Sequence, residues 1–177
     1  PMGWHESYRF FQPGLEDVLR QGLDRFPDET LTMGAEVAAL TTDGVLTLAD
    51  GSQVEATYVV GCDGVDSVTR QAAGLVLDDL GFNERWVVVD ALLKRPRPDL
   101  GDHSIQHCDP DAPATYVRGT NNWRRWEFRL NECEPDPDDA EIWRRLAKWI
   151  TPDDATVERA AVYTFRSMVA QRWRKGR

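Results

Sequence analysis

The sequence has few cysteines and no long apolar run, and these two absences exclude several classes of protein. Its three cysteines, Cys62, Cys108 and Cys133, form no C-x-x-C pair and have no histidine at metal-ligand spacing. We therefore expect no metal site and no disulfide framework, and a reducing cytoplasm is the compartment that fits. No apolar stretch reaches the roughly eighteen residues of a membrane span, and residues 1–5 lack a signal-peptide layout, so no membrane association is expected.

An excess of positive charge is also lacking. The chain carries 21 basic and 30 acidic residues, a net charge of −9. Nucleic-acid binders need clustered Lys and Arg to neutralise phosphates, so this balance argues against a nucleic-acid partner. Basic residues do gather over 166–177, which we interpret as a solvated tail.

The first part of the chain predicts a helix followed by a small sheet. Residues 4–12 suggest a short extended segment, and 14–26 predict an amphipathic helix that ends at Pro27. Its apolar residues recur at three- and four-residue steps: Leu15, Val18, Leu19, Leu23 and Phe26. Three strand-like segments at 31–40, 45–49 and 53–61, separated by Asp-Gly pairs, then predict an antiparallel meander.

The stretch 59–70 predicts a buried strand that runs into a turn at Asp63-Gly64 and then into a helix. The first turn of that helix would carry Ser67, and its inner turn Arg70. A strand that ends on glycines before a helix leaves backbone N–H groups facing one spot, which suits a phosphate. The alternative is an ordinary strand-to-helix turn with an exposed arginine.

The second part of the chain predicts an antiparallel sheet with a covering helix. Strands are expected at 82–93, 103–108, 114–118, 123–131 and 160–166, and a helix at 138–150. In the strand 123–131, apolar and charged residues alternate, which indicates one buried and one wet face. The fold class is therefore α+β, with expected domains at 1–74 and 75–166 and a return segment at 167–177.

A family resemblance rests on Gly61-Cys62-Asp63-Gly64 with Ser67 and Arg70. This pattern resembles the Asp-Gly fingerprint of single-component flavoprotein aromatic hydroxylases, the p-hydroxybenzoate hydroxylase-like group. Segments around it, including 8–19, 86–90, 125–128 and 170–174, resemble the 3-(3-hydroxyphenyl)propionate hydroxylase branch. The resemblance covers nearly the whole chain.

The resemblance implies an enzyme that uses FAD, NADH or NADPH, and O2 to hydroxylate a small phenolic substrate. Asp63 and Gly64 would shape the environment of the cofactor phosphates, with Ser67 in the same motif. Arg70 matches an arginine implicated in binding the pyridine nucleotide, and Gln12 matches a glutamine that touches the flavin. No residue is assigned a catalytic role.

Two flavin-binding motifs of that family are missing from the sequence. The family's Gly-x-Gly-x-x-Gly unit, which grips the ADP half of FAD, occurs nowhere in the 177 residues. The family's second motif is a Gly-Asp pair that follows a segment like 173–177, and the 177 residues do not include this pair. We therefore expect the central part of an FAD-binding α/β fold, which would bind FAD weakly or not at all.

Substrate contacts are less well defined by the sequence. Gln106, Tyr116, Trp126 and Phe128 lie on predicted strands and could line an aromatic pocket, but core packing explains the aromatic ones equally well. His107 is expected to be structural. Two other functions stay open: a stand-alone module that binds a ligand or partner, and a reductase or halogenase of the same fold. A homodimer is a further expectation.

Overall fold

The computed structural model describes Gly3 and residues 8–177; residues 4–7 of the expected extended segment lie outside the described residues. The chain divides into two compact units. The first contains the described residues up to Arg25 together with Asn83–Phe165, and the second contains Phe26–Phe82 and Arg166–Arg177. The domain boundaries expected at 74 and 166 stay a prediction. No helix in the described part of the chain is long and apolar enough to cross a bilayer.

The second unit contains the predicted meander. Its strands are β1 (Val37–Leu40), β2 (Val45–Leu48) and β3 (Gln53–Glu55), which pair antiparallel in chain order. Gly44 in the first turn has φ +99°, and a Cβ there would lie 2.2 Å from the carbonyl oxygen of Ala56. Only glycine fits this turn, because it tolerates both the positive φ and the close approach of the backbone.

The prediction that the third strand of the meander extends to Gly61 is wrong, because the strand ends at Glu55. The chain is irregular from Ala56 to the short helix α2 (Val68–Ala72), and Val60 is 83% exposed. A strand needs a neighbour for its backbone groups. In the described part of the chain, Val59 has one such bond, from its N–H to the carbonyl oxygen of Arg177 at 3.0 Å.

The larger sheet has five antiparallel strands, most of whose residues belong to the first unit. They are β4 (Leu77–Leu93), β5 (Ile105–His107), β6 (Ala114–Arg118), β7 (Trp123–Leu130) and β8 (Ala155–Ala170), in the order β5-β6-β7-β4-β8. β4 and β8 are longer than the sequence pattern indicated. The predicted antiparallel sheet is confirmed.

One face of this sheet carries the core. Along β7 burial alternates, with Trp126, Phe128 and Leu130 buried and the charged residues between them partly exposed, as the sequence predicted. The helix α3 (Asp139–Leu146) covers this face with Ile142 and Leu146. The Asp138 side chain caps α3 by accepting a hydrogen bond from the N–H of Glu141 at 2.8 Å.

The predicted amphipathic helix is present as α1 (Gln12–Gly22), followed by a 3₁₀ turn at Leu23–Arg25. Pro13 occupies its first turn, where the missing N–H is tolerated. None of its residues is buried, and Val18 and Leu19 are more than 60% exposed. The periodicity therefore predicted the helix correctly, although its apolar side is not packed.

Candidate functional site

The Asp63 carboxylate organises the loop that precedes α2. Its Oδ1 accepts a hydrogen bond from the Ser67 hydroxyl at 2.5 Å, and its Oδ2 accepts one from the Thr69 N–H at 2.9 Å. Ser67 is the N-cap of α2, since its Oγ accepts from the Arg70 N–H at 2.9 Å. Gly64 has φ +79°, a conformation that favours glycine and returns the chain toward α2.

These hydrogen bonds alter the prediction of a phosphate site made of free backbone N–H groups. The N–H groups of Thr69 and Arg70 are already bonded to Asp63 and Ser67. The bonds from Ser67 and Thr69 hold the pKa of the Asp63 carboxyl well below its usual range, so it stays ionised. The prediction of free N–H groups is therefore wrong, because side chains of the motif itself cap the helix.

Asp63, Gly64, Ser67 and Arg70 nevertheless line one cavity, of about 660 Å³, in the second unit. Of the described residues around it, five are basic and one, Asp63, is acidic. The basic residues are Arg70, Arg172, Arg174, Lys175 and Arg177. Basic side chains, rather than helix N–H groups, therefore make this cavity attractive to an anion.

The C-terminal segment that supplies most of this charge was interpreted from the sequence as a solvated tail, and that interpretation is wrong. Gln171 donates from its backbone to the carbonyl oxygen of Val76 at 3.0 Å and from its side chain to Asp78 at 2.6 Å. The backbone bond from Val59 to Arg177 holds the other end. The basic residues on either side of Trp173 were the sequence signal for a cavity wall. A solvated tail has the same composition, so this signal did not distinguish the two.

Gln12, the fifth cofactor-binding candidate, belongs to the first unit and is the first residue of α1. Its amide donates to the Glu16 carboxylate at 2.9 Å. The preceding residue, Phe11, stacks on Trp123 at the start of β7, with ring centroids 5.5 Å apart. The flavin contact of Gln12 stays a prediction.

Three of the four predicted substrate residues lie on the covered face of the large sheet. Tyr116, Trp126 and Phe128 are at most 6% exposed. The rings of Tyr116 and Trp126 lie 5.2 Å apart, and Trp149 packs within 6.3 Å of Trp126 and Phe128. These contacts are those expected of core residues, the alternative that the sequence left open.

The fourth candidate, Gln106, lies on the other side of the sheet. It is exposed and pairs with Thr115, which in turn pairs with Glu127. We call this side of β4–β7, which carries Asp90, Arg125 and Glu127, the open face. The alternation of apolar and charged residues along β7 was the sequence signal for the open face. This signal did not show which of the charged residues lie together.

The open face carries a compact charged cluster. Arg125 donates to both oxygens of Asp90, from Nε at 2.7 Å and from Nη2 at 3.1 Å. Arg159 on β8 also contacts Asp90, with Nη1 to Oδ2 at 3.5 Å, and donates to the Tyr163 hydroxyl. The pKa of Glu127 is raised, mainly because burial disfavours its charged form. The charge of Arg125 lowers this pKa and that of Asp90 raises it, but both effects are smaller than that of burial.

Comparison with known proteins places this geometry in a family. A family model described as an FAD binding domain matches residues 2–177. A probable NADH-specific resorcinol 4-hydroxylase of Rhodococcus jostii is 40% identical, over 99% of this chain and 35% of its own length. A 3-(3-hydroxy-phenyl)propionate/3-hydroxycinnamic acid hydroxylase of a Mycobacterium species is 36% identical, over 99% of this chain and 32% of its own length. The chain thus spans about a third of these relatives.

Solved structures show the same fold. The p-nitrophenol 4-monooxygenase of Pseudomonas putida superposes with a TM-score of 0.76 at 22% identity, over 94% of this chain and 45% of its own. The flavin-dependent monooxygenase PieE, solved with FAD and substrate, gives a TM-score of 0.74 at 20% identity, over 95% of this chain and 32% of its own. As the motif around Asp63-Gly64 predicted, the chain belongs to the FAD binding domain family, in which the relatives it matches are named aromatic hydroxylases.

Proposed function

We propose that this chain is the central part of an FAD-dependent aromatic hydroxylase, which uses NADH and O2 to hydroxylate a small phenol. The names of the two relatives support the phenolic substrate, and that of the first supports NADH as the reductant. The family's fold supports FAD. Resorcinol and 3-hydroxyphenylpropionate are the substrates to test first.

The observation that carries this proposal is the basic cavity around the Asp-Gly motif. A dinucleotide cofactor carries a pyrophosphate, which needs positive charge and hydrogen-bond donors. Arg70, Arg172 and Lys175 line the cavity, and Trp173, which is 85% exposed, offers an aromatic surface there. The residues present therefore fit the anionic part of a dinucleotide.

This chain's residues would bind and position, whereas the redox chemistry belongs to the cofactor. The chemistry that FAD supplies when bound is electron transfer from the nicotinamide and activation of O2. Arg70 and the basic segment 172–177 would hold phosphate oxygens. Asp63 and Ser67 would fix the start of α2, the helix that carries Arg70. The Arg70 guanidinium donates to the Val65 carbonyl oxygen at 2.6 Å.

Two measurements test the proposal. Titration of the 177-residue chain with ADP, followed by tryptophan fluorescence, should show weak binding that salt weakens further, because ionic contacts to phosphate are screened. The chain should then be expressed together with its adjoining coding sequence and assayed for NADH-dependent oxygen uptake and hydroxylated product with both phenols. A longer protein that binds no flavin and forms no product would overturn the proposal.

The alternative of a stand-alone module predicts a different pattern. Such a module would bind hydroxyphenylpropionate without flavin, and its distinguishing mark would be that it shows no salt-sensitive binding of ADP. Calorimetry on the 177-residue chain with each ligand separates the two functions.

A further inference from the structure

We propose that Glu127 accepts the proton of a phenolic substrate on the open face, where Arg125 and Arg159 stabilise the resulting phenolate. The inference rests on the proposed function, because it names the side of the sheet that takes the phenol and the group that activates it. It gives Arg125 and Glu127, which lie in the segment 125–128, roles that neither the resemblance nor the relatives' names assign.

The aromatic candidates on the covered face of the sheet are closed off from solvent. Tyr116 and Trp126 are at most 2% exposed, and α3 packs over this side. The open face is accessible, since the side chain of Arg125 is 42% exposed and that of Arg159 is 48% exposed. A phenol can therefore reach the charged cluster without unfolding the core.

The open face also leads to the residue that the resemblance links to the flavin. Phe11 stacks on Trp123, with an angle of 19° between the rings, and Gln12 follows directly. Successive side chains on one face of a strand are about 7 Å apart. Trp123, Arg125 and Glu127 therefore form a line along β7 that starts at Trp123, on which the residue before Gln12 stacks.

Glu127 differs from the other carboxylates around it. Among the described residues, no group donates a hydrogen bond to its carboxylate, whereas the Asp90 carboxylate accepts two from Arg125. The two residues directly opposite Glu127, Val88 on β4 and Thr115 on β6, are both uncharged. A partly buried carboxylate without a donor is poorly stabilised as an anion, so it is suited to accept a proton.

The other charged groups on this face are engaged elsewhere or belong to the cluster. Arg129, two residues beyond Glu127 on β7, lies 4.0 Å from Glu84 on β4 and donates to the carbonyl oxygen of Pro110 at 3.0 Å. Tyr163 on β8 accepts a hydrogen bond from Arg159. Arg125 lowers the pKa of Glu127, but burial outweighs it.

The charges balance before and after the proposed proton transfer. With Glu127 and Asp90 ionised, Arg125 and Arg159 are neutralised and the cluster has no net charge. When the phenol O–H bond breaks, its electron pair stays on the oxygen and its proton goes to a Glu127 carboxylate oxygen. The negative charge thus moves from Glu127 to the phenolate, which the two guanidinium groups then neutralise.

Transfer of the proton from a phenol to a glutamate is unfavourable when the protein shifts the pKa of neither group. A phenol such as a tyrosine side chain loses its proton near pH 10, and a free glutamate does so near pH 4.3, a gap of roughly six pH units. Burial of Glu127 narrows this gap from one side, and the adjacent guanidinium groups narrow it from the other. A partial negative charge on the ring oxygen already makes the ring more electron-rich, which is what hydroxylation requires.

The test counts protons with 4-nitrophenol, which is more acidic than an ordinary phenol and yellow as the phenolate. The 177-residue chain is titrated with this probe by calorimetry in buffers of different ionisation enthalpy, at a pH where the free probe is mainly protonated. The wild-type chain should turn the probe yellow and release almost no proton, because Glu127 keeps it. Glu127→Gln should still bind the phenolate but release about one proton per probe.

Glu132→Gln is the matched control, since it removes the same charge from an exposed residue just beyond β7. It should behave like the wild type, and circular dichroism should show that both variants are folded. Equal proton release by Glu127→Gln and the wild type would overturn the assignment, even if the hydroxylation assay succeeds. Absence of probe binding by the folded wild-type chain would also overturn it, whereas flavin binding and oxygen uptake would still decide the proposed function.

Discussion

Asp90 and Arg125 lie opposite each other on β4 and β7 and form a two-point ion pair, with Arg125 Nε and Nη2 at 2.7 and 3.1 Å from the two oxygens of Asp90. The Asp90 side chain is 17% exposed, and it also contacts Arg159. One carboxylate thus holds two arginines from two different strands. This arrangement fixes two guanidinium groups on the open face and leaves the carboxylate of Glu127 on the same face without a hydrogen-bond donor.

Replacing Asp90 by Asn should destabilise the protein modestly. A hydrogen bond to a charged group contributes about 1.5–3 kcal/mol, but the partial exposure of Arg125 reduces this, so we expect a loss of about 1 kcal/mol. Glu16→Gln, which removes an exposed i,i+4 partner of Arg20 on α1, should cost less than about 0.5 kcal/mol. Urea unfolding of both variants measures the difference; equal losses would contradict a structural role for the Asp90 pair.

Glu127→Gln should stabilise the protein at neutral pH. The pKa of Glu127 is raised in the folded state, so the folded protein binds the proton more tightly than the unfolded chain does, and stability falls as pH rises above the ordinary glutamate pKa of about 4.3. The variant avoids this cost, which partial exposure keeps below about 1 kcal/mol. Its advantage should therefore disappear at pH values below about 4. A constant difference across the pH range would contradict the raised pKa.

Asp63→Asn should have the opposite pH dependence. The pKa of Asp63 is lowered by the hydrogen bonds from Ser67 and Thr69, so its stabilising effect is fully present above the ordinary aspartate pKa of about 3.9 and is lost as pH falls toward the lowered value. The variant should melt earlier than the wild type at neutral pH, and the difference should narrow only in strong acid. Asp66→Asn is the control, because among the described residues a hydrogen bond reaches Asp66 at its backbone carbonyl and not at its carboxylate.

Lys175→Gln should weaken the binding of ADP to the cavity. An exposed ionic contact contributes about 0.2–1 kcal/mol, which corresponds to a loss of roughly 1.4- to 5-fold in affinity. The effect should diminish at high salt, because the contact is screened. Arg20→Gln changes the charge equally on α1, outside the cavity lining, and should leave ADP binding unchanged. Equal effects of the two variants would show that only the overall charge matters.

The sequence predicted those features that depend on local patterns. The alternation along β7 identified Trp126 and Phe128 as one face, and the Asp-Gly turns located the meander, because both signals act between near neighbours in the chain. Ser67 and Asp63 were correctly grouped with Arg70. Their roles as helix caps were missed, because a motif does not show whether an N–H group is already bonded.

The remaining differences arose where distant segments meet. Whether Arg172–Arg177 is a tail or a cavity wall depends on backbone bonds to Val59 and Val76, which lie about a hundred residues earlier in the chain. Which face of the large sheet stays open likewise depends on α3, which covers the other face. Aromatic residues suggested a ligand pocket from their composition, but a sheet that packs under a helix needs the same residues.

Paired substitutions on the two faces of the sheet should therefore separate packing from binding. Phe128 is 6% exposed and packs against Trp149, so Phe128→Leu should cost about 1.5 kcal/mol of stability by leaving the core less well filled. Below its lowered melting temperature this variant should bind 4-nitrophenol as the wild type does. Gln106→Ala on the open face should leave stability within about 0.5 kcal/mol, because surface changes are usually small, but should alter probe affinity. If Phe128→Leu abolished probe binding while the chain stayed folded and Gln106→Ala had no effect, the phenol would bind on the core side, and α3 would have to move to admit it.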